Sequence, residues 1–283
     1  NHRFKDETQA EMLRNLRVGK TTNTELDYFN NNCCDNQPFP PNIYAPLLTT
    51  NNKTRYEFNY SILNQFAQQT KRTYHSYHTS ITSKEDLTPI LRKDLLQLPE
   101  NATEKLPTRL DLVLGMPLTV TQNNENGHLP LMNGTIGTLY SIVNDPDDQT
   151  VTLPNGVVRH KKPPLLIWIQ TSSKLRLAPN FPQGLFPLFA VSQTVSAKFS
   201  ASHSIKIKLH TLTVVPAFAL TTEKCQGLTL KGCIVAPLLT IYRTSPQKTA
   251  LYVALSRPTT IQNLHLCEPL TVKDLMYFRP PQQ

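Results

Sequence analysis

The sequence predicts an α/β fold: a parallel sheet with flanking helices, interrupted by a smaller, basic, β-rich insert. Three observations lead there. First, apolar Val214, Val215, Phe218 and Leu220 precede a polar run closed by glycine, Thr221-Thr222-Glu223-Lys224-Cys225-Gln226-Gly227, and apolar Ile234, Val235, Leu238 and Leu239 follow it. Short apolar runs bounded by turn signals read as buried strands, and α/β proteins hold ligand chemistry in loops at strand ends. Second, Ile43 to Leu48 reads as a strand and Thr49 to Arg55 as its polar exit, after which Phe58, Ile62, Leu63 and Phe66 recur at helical spacing. Third, residues 138–211 change texture to short period-two runs separated by Pro, Asn, Ser and Gly, most regular in Ile205-Lys206-Ile207-Lys208-Leu209.

Taken in order, Asp6 and Glu7 early, Arg14 and Arg17 late, and Gly19 at the close punctuate a first helix carrying Met12, Leu13, Leu16 and Val18. Thr22 is placed to cap a second helix with Leu26 and Phe29, and Asn30 to Pro41 reads as a loop. Arg72 to Ser76 is a strand. His75 and His78 have a spacing that some metal sites use, but without a third ligand nearby they read as surface histidines. Leu87 to Leu96 is helical, with Pro89 tolerated in the first turn. Leu110 to Val120 is apolar around Gly115-Met116-Pro117, Asn133-Gly134 marks a turn, and Ile136, Leu139, Ile142 and Val143 continue as strand. Trp168, Phe181, Phe186, Phe189 and Phe199 are assigned mostly to the core of the small β-barrel, with base stacking as the alternative. Near the end, Leu251, Val253 and Leu255 alternate with Tyr252 and Ala254, and Arg257 follows just before Pro258.

The 283 residues, 39% hydrophobic and 17% charged, suffice for one large domain or two modest ones. Twenty-three prolines against nine glycines imply stiff, irregular connections. No apolar run reaches the roughly 20 residues that a membrane helix needs. Five irregularly spaced cysteines give neither a disulfide framework nor paired zinc spacing, which points to a reducing intracellular compartment. Net charge is +9, and between Val151 and His210 stand Arg159, Lys161, Lys162, Lys174, Arg176, Lys198, Lys206 and Lys208 with no Asp or Glu. Such a segment suits contact with a phosphate backbone, the plainer alternative being a solvated basic region.

The order of these stretches resembles a known family. Arg3 in an Asn-His-Arg-Phe opening, Asn52-Lys53-Thr54-Arg55 with Asn59, Gly115-Met116-Pro117, Asn133-Gly134-Thr135-x-Gly137, Phe218 to Leu230 and Leu251 to Arg257 together resemble the RecD-like branch of superfamily-one DNA helicases. Within it the chain is most similar to the petite-integration-frequency helicases and their Helitron-transposon relatives. The resemblance implies a RecA-like second helicase lobe, P-loop NTPase-like, over residues 41–137 and 212–283. It further implies an SH3-like β-barrel inserted at 138–211, and an entry segment, 1–40, from a first lobe. It implies that Arg3 and Arg257 reach the γ-phosphate of ATP, and that Lys224, Gln226 and Gly227 lie on the nucleotide side of a coupling motif. Thr222 and Glu223, with Asn52, Asn133, Lys206 and Lys208, are then expected on single-stranded DNA. ATP and Mg2+ are the implied cofactors, and a nuclear or mitochondrial site is implied if the source is eukaryotic.

Two departures matter. Glu223-Lys224-Cys225-Gln226-Gly227 stands where many members have His-Lys-Ser-Gln-Gly, which puts a carboxylate where DNA phosphate is expected. No Gly-x-x-x-x-Gly-Lys-Ser/Thr occurs, and Gly19-Lys20-Thr21 lacks the upstream glycine and follows a helix, so it reads as a helix terminus. With Asn1 as its first residue, the chain is therefore expected to be the C-terminal half of a 5′–3′ DNA helicase, needing the preceding lobe as partner and inactive without it. The rival expectations are a non-catalytic nucleic-acid-binding relic of a transposon helicase, and the second half of a viral RNA helicase.

Overall fold

The computed structural model describes residues 7–31, 33, 45–84, 86–123, 131–200, 203–236, 245–272 and 274. Arg3 lies outside them. The chain divides into two units, residues 1–56 with 218–283, and residues 57–217. Helix α1 (Glu7–Arg17) buries Met12, Leu13 and Leu16. It stops where Gly19 turns left-handed at φ +68, with Gly19 N donating to Leu16 O and Lys20 N to Asn15 O. That paired closure is a Schellman stop, so Gly19-Lys20-Thr21 is the helix terminus expected. Helix α2 (Asn23–Asn30) opens with a capping box in which Thr22 and Glu25 satisfy each other's backbone amides. Strand β1 (Leu47–Thr49) then runs into α3 (Asn52–Thr70).

Next come β2 (Tyr74–His78), β3 (Ser80–Thr82), α4 (Pro89–Leu95), β4 (Arg109–Val113), β5 (Pro117–Val120) and β6 (Ile136–Val143). They are followed by β7 (Thr150–Thr152), β8 (Val158–His160), β9 (Leu166–Thr171), β10 (Leu185–Phe189), β11 (Val191–Lys198), β12 (Ser204–Thr211) and β13 (Val214–Pro216). The chain ends with β14 (Ala219–Thr221), α5 (Thr222–Cys225), β15 (Cys233–Val235), α6 (Ser245–Leu255) and β16 (Leu264–Leu266).

The first unit is built on one sheet, ordered β14-β1-β15-β16, with every pairing parallel. All four strands are buried along their length, as a parallel sheet covered on both faces requires. Parallel neighbours need a long crossover, and α6 lies in the one between β15 and β16. This explains why the alternating apolar residues after Thr249 are helical: Leu251, Val253, Ala254 and Leu255 are all buried, so the helix shows apolar residues on more than one side. The polar exit expected at 49–55 is shorter than foreseen, because α3 starts at Asn52. Asn51 caps it, accepting from Lys53 N at 2.8 Å.

The second unit holds three sheets, ordered β10-β9-β6-β5-β13, β11-β12-β3 and β4-β2-β8-β7. The boundary drawn at 138 is crossed by strand pairing: β12 pairs β3, β8 pairs β2, and β6 pairs β5. Strands of residues 138–211 thus complete their ladders with strands from 74–120 and not only among themselves. In β12 the apolar–basic alternation is realised as read, Ile205, Ile207 and Leu209 lying buried and Lys206 and Lys208 exposed. The buried face packs with Ile81, Leu95, Leu106, Val195 and Ala197. Gly137 has a packing reason: a Cβ there would overlap Ile169 and crowd Gln170 O at 2.9 Å.

Candidate functional site

In the first unit, β1 and β14 end side by side, Thr49 opposite Thr221. Both then enter helices, α3 three residues on and α5 at the next residue. The carboxyl ends of adjacent parallel strands are where open α/β sheets place ligands. Asn52 and Thr222, expected on DNA, therefore share one sheet edge. Asn52 is exposed, its Oδ1 accepting from Arg55 Nε at 3.3 Å. Thr222 is 4% exposed, so at that edge the surface is presented by Glu223, while Lys224 is half-buried. Thr221 Oγ1 accepts from Lys224 N at 3.4 Å, fixing the turn. Glu223 sits in the first turn of α5, where a carboxylate is favoured by the exposed amides. Cys225 is fully buried. Burial pushes its thiol up to about 12, with the Arg257 charge only partly offsetting, so it is a packing residue and not a nucleophile.

Gln226 and Gly227 are exposed. Gly227 is left-handed at φ +89 with open space where a Cβ would go, so conformation and not crowding selects glycine. Arg257 was expected to project toward a phosphate; here it is 5% exposed. Its Nη1 donates to Cys225 O at 3.2 Å and Leu228 O at 3.1 Å. Its Nε donates to Val253 O at 2.8 Å and its Nη2 to Ser256 Oγ at 2.7 Å. The guanidinium thus ties the end of α6 to the loop after α5. Leu230 N donating to Arg257 O and Thr259 N donating to Leu230 O, each at 3.0 Å, close the same knot.

In the second unit, Asn133 is exposed in a turn, its amide donating to Asn123 Oδ1 at 2.9 Å, ahead of Gly134 at φ +89. Lys206 lies opposite Ser196, and Lys208 opposite Thr194 and Thr82. Residues opposite each other share a face, so the solvent side of this sheet is a field of hydroxyls and lysines. Sequence reading found the lysines and missed Thr194, Ser196 and Thr82, although Ser192-x-Thr194-x-Ser196 carries the same period of two. Of the eight basic residues between 151 and 210, Lys162 is engaged with Asp145 at 3.1 Å.

His75 is not a bare surface histidine. Its Nδ1 is 2.8 Å from His160 Nε2, and His160 Nδ1 is 2.6 Å from Asp148 Oδ2. Asp148 also accepts from the amides of Lys161 and Lys162. Burial works against its charge, but these donors outweigh it and hold the carboxyl below the usual range. With the carboxylate accepting from His160, the His160–His75 contact needs one donor and one acceptor. Burial and then the neighbouring His160 hold His75 below its usual value. Among the described residues no three His, Cys, Asp or Glu side chains are grouped to hold a metal ion, and no helix is long and apolar enough to cross a membrane.

No family model matches the sequence, and no curated protein matches it. Solved structures do. Pif1 from Bacteroides bound to ssDNA aligns over 99% of this chain and 52% of its own, at TM-score 0.59 and 19% identity. Pif1 helicase from Candida albicans aligns over 95% and 55%, at TM-score 0.61 and 19% identity. The Bacteroides protein in complex with ADP-AlF3 and ssDNA aligns over 99% and 52%, at TM-score 0.59 and 18% identity. At these identities the likeness is one of fold: this chain has the α/β fold of half a Pif1-type helicase. It spans about half the length of the structures it matches.

Proposed function

We propose that this chain is the C-terminal motor half of a superfamily-one DNA helicase, with residues 1–56 and 218–283 forming the second RecA-like lobe. The observation that carries this reading is the alignment of 99% of the chain with about half of a Pif1 helicase. The coupling stretch Thr222 to Gly227 then lies where a parallel sheet presents ligands. The intact protein moves 5′ to 3′ on single-stranded DNA at the expense of ATP. Lys224, Gln226 and Gly227 face the nucleotide, with Arg3 supplying a second cation, and the SH3-like part of the second unit, through Lys206, Lys208 and Asn133, holds the strand. Arg257 exchanges its neutral carbonyl partners for the terminal phosphate, a stronger acceptor, once nucleotide and the preceding lobe are in place. Among the described residues no three acidic or histidine side chains are grouped to hold a metal ion, and the sequence carries no phosphate loop. The magnesium site and the phosphate loop both belong to the preceding lobe in this reading.

The test is ATP hydrolysis stimulated by single-stranded DNA. It is expected of the protein carrying both lobes and not of these 283 residues alone. Measurable hydrolysis by this chain alone overturns the proposal. A second reading, a non-catalytic nucleic-acid-binding module, is favoured by the basic, hydroxyl-bearing face of β11 and β12, which needs no nucleotide. A reading frame upstream of Asn1 without a phosphate loop decides for it.

A further inference from the structure

Three of the five aromatic side chains assigned to the barrel core are at the surface. Phe186 is 1% exposed as expected, and Phe199 packs on the buried side of β12. Trp168 and Phe181, however, are half-buried, and Phe189 is 47% exposed. Strand register explains the arrangement. Leu166 lies opposite Phe189 on one side and Val143 on the other, and Trp168 lies opposite Pro187 and Ser141. Residues opposite each other point to one face, while Ile167 and Ile169 between them fill the core. The register shifts between Leu139 and Ser141, and Tyr140 within that irregularity is 60% exposed. Phe181 stacks on Trp168, centroids 5.4 Å apart and planes 25° apart. Its loop is held by Arg176, whose Nη1 donates to Phe181 O at 3.1 Å, and by Gln183, whose Nε2 donates to Lys174 O at 2.6 Å.

We infer that this outer face of β6, β9 and β10 is a base-stacking platform for single-stranded nucleic acid, distinct from the lysine face of β12. The inference rests on the nucleic-acid reading above. Charge selects the occupant. Lys174 and Arg176 are exposed on the loop that presents Phe181, and no acid occurs between Val151 and His210. The acids on the nearby turn are engaged, Asp145 with Lys162 and Asp148 with His160. Only Asp147 is largely exposed, and it lies 3.8 Å from the same lysine. Flat π faces beside cations match the alternation of bases and phosphates along a single strand, whereas an apolar protein surface would leave the cations unmatched.

Trp168 is the sole tryptophan of the chain, so its emission reports on this face alone. In the 283-residue chain, oligothymidylate is expected to quench that emission saturably. An abasic sugar-phosphate oligomer of the same length should bind, by fluorescence anisotropy, without quenching. Phe181→Ala should weaken oligothymidylate binding roughly 5- to 100-fold, and Trp168→Phe should preserve it. Oligothymidylate binding without quenching overturns the platform and leaves the lysine-face reading standing; absence of any binding overturns both. Emission that changes with protein concentration alone makes the face an interface between copies, which also overturns it.

Discussion

Among the described residues, the Arg257 side chain donates to the carbonyls of Val253, Cys225 and Leu228 and to the Ser256 hydroxyl, all inside its own unit. Removing the guanidinium takes one donor from each carbonyl. Cys225 O still accepts from Leu228 N and Val253 O from Ser256 Oγ, so the cost falls chiefly on Leu228 O and on the lost charged hydrogen bonds, about 1–3 kcal/mol each. Arg257→Ala is therefore expected to lower stability by about 3 kcal/mol, read as a fall in urea midpoint. Arg257→Lys keeps the charge but not the planar fork. In the protein with both lobes it is expected to lose ATP hydrolysis while single-strand binding is nearly unchanged. Lost binding with normal hydrolysis would show that the roles are wrongly assigned. Gly227 makes a cleaner case, because a Cβ there meets no atom within 4 Å. Gly227→Ala should cost about 1 kcal/mol from backbone strain alone, and a neutral result in urea would mean that the turn relaxes.

At the scale of elements, the pairing of β2 with β8 carries a titratable contact, because Tyr77 lies opposite His160 and stacks on it at 4.1 Å, while His75 reaches the same ring. His75 is held below its usual 6.5 in the folded chain, so the unfolded chain takes up its proton first as pH falls. Its contribution to stability is complete above pH 6.5 and is lost as pH drops through the lower folded value. Tyr77 and His160 lie against His75, and Asp148 lies against His160; Asp148, also lowered, holds its charge through this range. His75→Gln keeps a donor toward His160 without titrating. Its urea midpoint is expected to fall less than wild type between pH 7.5 and pH 5.5, and parallel curves would remove His75 as the cause. On β12, loss of Lys206 and Lys208 together should weaken single-strand binding at every sequence and flatten the log–log salt slope by about 1.4. An unchanged slope would place the phosphate contacts elsewhere.

At the scale of the whole molecule, what was legible in the sequence depended on distance along the chain. The stop of α1 at Gly19, the cap of α2 at Thr22 and the alternation of β12 were all readable, because each is settled by residues within about one turn or one strand. The strand–polar run–helix order around Asn52 and the Gly-closed stretch before Leu228 were readable for the same reason. Strand partners were not, since a ladder forms between segments far apart, and the period of two says only that a face exists. The assignment of a separate barrel at 138–211 missed β2, β3 and β5, whose residues complete its ladders.

The sequence by itself determined most element types and the acid-free basic run between residues 151 and 210. Tertiary structure alone decided which side each side chain serves. It turned Arg257 onto loop carbonyls, drew His75 against His160, and set Trp168, Phe181 and Phe189 outside. The physical reason is that propensity acts through neighbours in the chain. Burial, charge pairing and stacking act through neighbours in space, which register and crossovers bring together.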